Sequence, residues 1–198
     1  MKRVSYTGLI LAAILSIAVP AVMAQGEATT FTGTIVSFGS GFNTRTRTSP
    51  FTLRLTGVSP ADRVQRGLTV LQEGGQDALL KQISGQELGR FSVGGRVGRP
   101  INAVIVNDVD GKRRIFAIFE RWINVAEIRG GYRSVDYPFG VIELFIDPRT
   151  GKGEGTLIEA ARIRWKDNSR AGGNVVEIEN FATWPAKLMG VTQRGSRL

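Results

Sequence analysis

The sequence predicts a mainly β domain of the α+β class, an antiparallel β-barrel or half-barrel of about eight to ten strands with one helical insertion packed on it. Three observations support this fold. Short β-type runs alternate with turn residues along the chain, two neighbouring runs are apolar on both faces, and only one segment has helical periodicity. A two-sheet β-sandwich is the alternative, because short antiparallel strands also build that architecture.

Two hairpins organise the predicted sheet. In the first, Phe139–Ile146 and Gly155–Trp165 flank a loop that contains Pro and Gly. In the second, Ile101–Val106 and Arg113–Trp122 are joined through an Asp-Gly dipeptide, which is typical of tight hairpin turns. The strands of the second hairpin are apolar on both faces, so the sheet must be covered on both sides there.

The segment Pro60–Ile83 is the predicted cover for the outer side of the sheet. Ser59 and Pro60 are typical of a helix start, and apolar residues recur at helical spacing after them. The Gly74-Gly75 pair ends this helix, and residues 76–83 form a second short one.

Shorter runs complete the predicted sheet. Phe51–Val58 alternates apolar and polar residues, as a half-buried strand does. The other segments predicted to be extended are Phe31–Phe38, Arg90–Val93, Asn124–Arg129, Asn174–Phe181 and Lys187–Val191, the last at an edge of the sheet.

Residues 1–24 have the features of a secretory signal peptide. Lys2 and Arg3 give a positive start, an apolar run follows, and Ala24 closes a stretch suited to signal-peptidase cleavage. The apolar run is shorter than a membrane-spanning helix needs. We therefore expect a single β-rich domain, residues 25–198, exported across the inner membrane to the periplasm or the medium, with no transmembrane span after cleavage.

The composition limits the chemistry. The chain has no Cys and no His, which excludes Ser–His and Cys–His nucleophiles and the common His- or Cys-based zinc sites. After removal of Lys2 and Arg3 it carries 24 basic and 17 acidic residues, a net charge of +7. An exported basic domain is suited to anionic envelope components rather than to nucleic acid. We accordingly predict no catalytic residues, no metal and no cofactor.

Two carboxylates stand on otherwise apolar strand faces. Glu143 shares a face with Val141, and Glu159 shares one with Leu157 and Ala161. A carboxylate in such a place requires a partner. A facing pair would suit acid–base hydrolysis of sugars or calcium binding, whereas pairing with arginines is the alternative interpretation. The strand register, which decides between them, is not fixed by the sequence.

Aromatic rings stand beside arginines at several predicted strand ends, as in Arg121-Trp122 and Tyr132-Arg133. At the mouth of a barrel such pairs would suit an amphiphile with an anionic head group. Core aromatics flanked by strand-end arginines are the alternative. The predicted ligand-binding residues are Arg121, Trp122, Tyr137, Phe139, Glu143, Glu159, Arg164 and Trp165.

A set of short motifs fills much of the second half of the chain. They are Arg133-Ser134, Asp136–Phe139, Ile142–Leu144, Asp147, Gly151–Gly155, Glu177–Phe181 and Trp184-Pro185. Together with Val64–Leu80 this pattern resembles a family of bacterial exported proteins for which no activity is known. The resemblance implies export and a single domain, and it assigns no catalytic residue. The predicted architecture is also similar to lipocalin-like ligand-binding barrels, but their motifs are missing.

These observations favour a non-enzymatic exported domain that binds an apolar or amphiphilic small molecule or an anionic component of the envelope, with contact to a membrane surface compatible with its charge. One alternative is a structural or protein-interaction module of the cell envelope. Another is a hydrolase that uses Glu143 and Glu159. A carrier requires an open interior, whereas an interaction module requires a packed interior with an exposed apolar or basic patch.

Overall fold

A computed structural model describes residues 28–38, 45–123, 125–130, 132–166, 175–181 and 184–195; the predicted signal peptide, residues 1–24, lies outside these ranges. The strands are β1 Thr29–Ser37, β2 Arg47–Leu55, β3 Gly89–Val93, β4 Arg99–Pro100, β5 Ala103–Val109, β6 Lys112–Glu120, β7 Phe139–Ile146, β8 Lys152–Lys166, β9 Val175–Asn180 and β10 Ala186–Arg194. The helices are α1 Ala61–Ile83 and α2 Val125–Arg129, and a 3-10 turn spans Arg133–Asp136.

The strands form one antiparallel sheet that curls into a half-barrel, as the sequence predicts. Its order is β4-β3-β2-β1-β10-β8-β7-β6-β5, and β9 pairs with the last residues of β8. The two ends of this order, β4 and β5, are separated on the chain only by Ile101 and Asn102. The N–H of Ile101 donates to Gly89 of β3, and the N–H of Asn102 donates to Ile118 of β6, both at 2.8 Å. One continuous segment therefore bridges the two ends of the curled sheet.

The inner face of the half-barrel is a packed core. It contains apolar residues from β1, β2, β3, β5, β6, β7, β8 and β10, and Phe31 and Leu144 have no exposed surface. Inside it, the rings of Phe51, Phe91 and Phe119 lie in a chain with centroid separations of 6.0 and 5.8 Å. The contact between Phe91 of β3 and Phe119 of β6 shows how closely the two ends of the sheet approach.

A second core lies between α1 and the outer face of the sheet. Leu71 and Leu79 of α1 pack in one cluster with Phe116 and Ile118 of β6, whereas Ile115 of β6 belongs to the inner core. Alternate residues of one strand thus serve two cores. The prediction that both faces of these strands are covered, with the Pro60–Ile83 segment outside, is confirmed.

The segment α1 consists of two helical stretches that meet at a break at Gly75, where φ is 71°, which confirms the predicted division at Gly74-Gly75. Across the described ranges, no helix has the length and apolar character required to cross a membrane.

Three local predictions are wrong. Residues 125–129 are helical rather than extended. The last strand lies between β1 and β8 instead of at an edge, because Pro185 precedes the strand and does not interrupt its ladder. Leu157 belongs to the inner core and Ala161 to the outer one. A bulge between positions 158 and 161 of β8 changes the face, so Glu159 cannot share one face with both.

Candidate functional site

Antiparallel pairing gathers several connections at one end of the half-barrel. The turn between β3 and β4, the long β6–β7 connection and the segment between β9 and β10 all lie there, because β3 and β6 end, and β4, β7 and β10 begin, on the same side of the sheet. The last residue of β1 also points to this side. We define the loop end as residues 38, 94–99, 121–123, 125–130, 132–138, 181, 184 and 185.

The loop end carries most of the exposed large apolar side chains of the described residues. Four of them are more than half exposed within two neighbouring connections: Val97 (86%), Trp122 (65%), Tyr132 (62%) and Ile128 (60%). Phe38, Phe181 and Trp184 are also exposed at this end. The remaining exposed large apolar residue, Met189, lies on the open face of β10. Such gathering of exposed apolar groups is typical of a binding surface.

Arg99 links the β3–β4 turn to the β6–β7 connection. Its guanidinium lies over the ring of Trp122, 4.9 Å from the centroid, a cation–π arrangement. Its Nη1 atom is buried, and no hydrogen-bond acceptor for it exists among the described residues. Burial lowers the pKa of Arg99, the charge of Arg121 lowers it further, and Glu159 opposes both. An oxyanion at this position would satisfy the open donor.

Arg121 fixes the shape of the β6–β7 connection. It forms a two-pronged ion pair with Glu127 of α2 at 2.9 and 3.4 Å. It also donates to the backbone carbonyls of Ser134 and Tyr137 at 2.7 and 3.0 Å. Both partners of the ion pair are mostly buried, so Arg121 holds the connection that presents Trp122.

Tyr137 and Arg164 join β9 to the same end. The Tyr137 hydroxyl donates to Glu179 at 2.7 Å, and Arg164 forms an ion pair with the other oxygen of that carboxylate. The Tyr137 ring also contacts Phe181, with centroids 5.1 Å apart. The hydrogen bond from Tyr137 lowers the pKa of Glu179, and Arg164 adds to this against the effect of burial. Burial raises the pKa of Tyr137, and its hydrogen bond to Glu179 raises it further.

Three further arginines give the loop end a positive surface. Arg96, Arg129 and Arg133 are exposed and form no ion pair with any residue that the structure describes. The carboxylate of Glu127 in the same connection is neutralised by Arg121. The exposed apolar side chains are therefore bordered by uncompensated guanidinium groups.

The structure places three of the predicted ligand-binding residues in the loop end, namely Arg121, Trp122 and Tyr137, whereas Arg164 lies on β8 and pairs with Glu179 of β9. Only Trp122 presents a large apolar surface to solvent; Tyr137 is 4% exposed. The other two aromatic candidates, Phe139 and Trp165, pack in the core beneath α1.

The two carboxylate candidates have different surroundings. Glu143 is mostly buried and accepts a 2.7 Å hydrogen bond from Arg114, whose guanidinium also lies 5.5 Å from the Phe116 ring. Glu159 is exposed in the bulge of β8, within electrostatic reach of Arg99. In the described part of the chain, no hydrogen bond joins the two carboxylates.

Sequence reasoning missed Arg99, Val97 and Ile128. Arg99 lies in a Gly-rich turn, and its contact with Trp122 joins two segments that only the curled sheet brings together. Ile128 was placed in an extended segment, so its position on α2 beside Tyr132 was not foreseen. Exposed apolar residues next to arginines, as in Arg96-Val97 and Ile128-Arg129, were the available signal.

Comparison of the chain with protein-family models, with curated proteins and with solved structures finds no match.

Proposed function

We propose that this protein is a non-enzymatic exported binding module whose loop end attaches to membrane surfaces rich in anionic head groups. The observation that carries this proposal is the position of the exposed apolar residues. Among the residues that the structure describes, nearly all exposed large apolar side chains share one end of the half-barrel, and arginines without an ion-pair partner in the described ranges lie beside them. Export rests on the signal-like residues 1–24 of the sequence.

The residue types at the loop end suit the boundary between lipid and water. Trp and Tyr favour that boundary because each has an apolar ring and a polar atom. Val97 and Ile128 add apolar surface that would leave water on insertion. Each arginine close to an anionic surface contributes about 1 kcal/mol, so Arg96, Arg129 and Arg133 together would contribute about 3 kcal/mol.

Surface attachment fits the packing better than a ligand held inside the half-barrel. The inner face is filled by side chains of the protein itself, including Phe51, Phe91 and Phe119. An apolar ligand there would have to displace them, which close packing opposes. The loop end requires no such displacement, because its side chains are already exposed.

Flotation of the exported form, residues 25–198, with lipid vesicles tests the proposal. We expect binding to vesicles that contain phosphatidylglycerol and much weaker binding to pure phosphatidylcholine. The triple variant Trp122→Ser/Ile128→Ser/Tyr132→Ser removes three exposed apolar groups and should lower the partition coefficient at least tenfold. Met189→Ser is the matched control, because Met189 is exposed to a similar degree away from the loop end.

The charge component is tested separately. Arg129→Gln/Arg133→Gln should lower partitioning into anionic vesicles about 25-fold, which corresponds to about 1 kcal/mol for each arginine. It should leave the circular dichroism spectrum unchanged. Equal binding of the wild type to neutral and anionic vesicles, or equal loss in the Met189→Ser control, would contradict the proposal.

A further inference from the structure

The outer face of β3, β2, β1 and β10 is the part of the sheet that α1 leaves open. Its outward side chains form two neighbouring rows across the four strands, which we call the hydroxyl–arginine face. One row contains Arg90, Arg54, Thr30 and Arg194, and the other contains Ser92, Thr52, Thr32 and Thr192.

The first row brings three guanidinium groups together. Arg90 and Arg54 are direct cross-strand partners, and Thr30 is the partner of both Arg54 and Arg194. Adjacent strands are about 4.8 Å apart, so the backbones of Arg54 and Arg194 are about 10 Å apart with Thr30 between them. An oxyanion above the Thr30 hydroxyl would lie within reach of both side chains.

Two of these arginines are uncompensated. Arg90 is paired with Glu87 at 2.7 Å, whereas Arg54 and Arg194 are exposed and have no ion pair with any described residue. Like charges directly opposite one another in a sheet are destabilising. The arrangement of Arg54 opposite Arg90 therefore costs stability, and a bound anion would offset this cost. An open cleft of about 250 Å³ is lined by Arg54, Arg90 and Glu87 on β2, β3 and the segment before β3, and it does not include Arg194.

The second row supplies hydroxyl groups about 7 Å from the first. All four of its members carry a hydroxyl, and the row continues to Lys152 of β8, the partner of Thr192. Hydroxyls both donate and accept hydrogen bonds, as sugar hydroxyls do. Neither row contains an aromatic ring, the group on which nucleic-acid bases stack.

We propose that the hydroxyl–arginine face is a second binding site, one that holds an anionic polysaccharide along the two rows. The guanidinium groups pair with acidic groups of the polymer, and the Ser and Thr hydroxyls contact its sugar hydroxyls. This site lies on the open face of the sheet and does not depend on attachment of the loop end to lipid.

Isothermal titration of the full-length protein with heparin, a sulfated polysaccharide, tests this assignment, and neutral dextran serves as the uncharged probe. We expect heparin binding that weakens as salt rises, and no binding of dextran. Arg54→Gln/Arg194→Gln should lower heparin affinity at least tenfold. Thr30→Val, which keeps the side-chain shape and removes the hydroxyl, should lower it about fivefold.

Two further variants distinguish the proposed site from misfolding and from a general effect of charge. Glu87→Gln frees Arg90 from its carboxylate and should raise heparin affinity about threefold, which a misfolded protein would not do. Arg66→Gln/Lys81→Gln removes the same charge from exposed positions of α1 and should change affinity less than twofold. An equal loss in the α1 variant would show a general charge effect and overturn the site. Equally tight, Arg54-dependent binding of single-stranded DNA would overturn its assignment to a polysaccharide.

Discussion

At the scale of single residues, the contact between Gly140 and Phe119 shows how tightly the inner core is packed. These residues are direct partners on β7 and β6, and a Cβ at Gly140 would lie 2.0 Å from Cζ of Phe119. We expect Gly140→Ala to lower the free energy of unfolding by about 1–3 kcal/mol, because the ring has to move inside a filled core. Urea denaturation measures this change.

Gly67→Ala on α1 is the control for that substitution. Its Cβ would meet Cδ1 of Leu79 at 3.5 Å, an ordinary contact, and Ala favours helix, so stability should stay equal or rise by up to about 1 kcal/mol. If both variants have the same stability, the inner core is looser than the structure indicates.

The ion pair between Arg114 and Glu143 explains a carboxylate on an apolar strand face. Each side chain is 13% exposed, so removal of one charge leaves the other nearly buried and unpaired. We expect Glu143→Gln to lower the free energy of unfolding by about 2 kcal/mol. Glu87→Gln is the matched control with a half-exposed partner, and it should cost less than about 1 kcal/mol. Full stability of Glu143→Gln would contradict a structural role for this carboxylate.

The sequence predicted that arginines lie beside aromatic rings at strand ends, and Arg121-Trp122 is such a pair. It could not predict that the ring lies under Arg99, because that contact crosses between two connections. The prediction that Glu159 shares a face with both Leu157 and Ala161 failed because a bulge in β8 interrupts the alternation of side chains. No residue in the sequence signals this bulge.

At the scale of elements, α1 depends on one glycine. Gly75 has φ of 71° inside the helix, a conformation that L side chains avoid at a cost of about 1–2 kcal/mol. We expect Gly75→Ala to destabilise the protein by about 1 kcal/mol, although no atom lies within 4 Å of the added Cβ. Chemical denaturation of Gly75→Ala, with Gly67→Ala measured alongside it, gives this change in the free energy of unfolding. A gain in stability would mean that α1 becomes a continuous helix without the break.

The attachment of β9 should depend on pH. Because hydrogen bonding lowers the pKa of Glu179 in the folded protein, its contribution to stability is present above the unfolded-state pKa and is lost as the pH falls through the folded-state pKa. The pKa of Tyr137 is raised in the folded protein, so its contribution to stability has the opposite pH dependence. That contribution is present at neutral pH and is lost at strongly alkaline pH.

We therefore expect Glu179→Gln to weaken the dependence of the melting temperature on pH in the acid range. Tyr137→Phe, which removes the hydrogen bond to the carboxylate, should weaken it in part. Thermal unfolding followed by circular dichroism measures both. If the two variants keep the wild-type acid dependence, this network does not anchor β9.

The hairpin of β5 and β6 was predicted correctly because two adjacent residues determine the conformation of its turn. The turn between β5 and β6 places Asp110 and Gly111 at positive φ, as the Asp-Gly dipeptide predicts. The helix α2 was missed because a five-residue helix has little intrinsic stability, and the ion pair of its Glu127 with Arg121, the residue after β6, is not evident from the sequence. The position of β10 was also missed, because its neighbours β1 and β8 are distant in sequence.

At the scale of the whole molecule, the fold class followed from strands that are apolar on both faces and from one helical segment. The curl into a half-barrel was also predicted, but the way it closes was not, since this depends on residues 99–109 reaching both β3 and β6. This closure gathers the β3–β4 turn and the β6–β7 connection at one end. The candidate site is thus a property of the topology, and the sequence alone could supply only its aromatic and basic members.

We propose that the loop end enters the surface of anionic membranes. The most direct measurement is tryptophan fluorescence of a Trp165→Phe variant, in which the two remaining tryptophans, Trp122 and Trp184, both lie at the loop end. With phosphatidylglycerol vesicles we expect emission to shift to shorter wavelength and to be quenched by lipids brominated near the head group. Unchanged emission, with no quenching at vesicle concentrations that bind the protein, would contradict the claim.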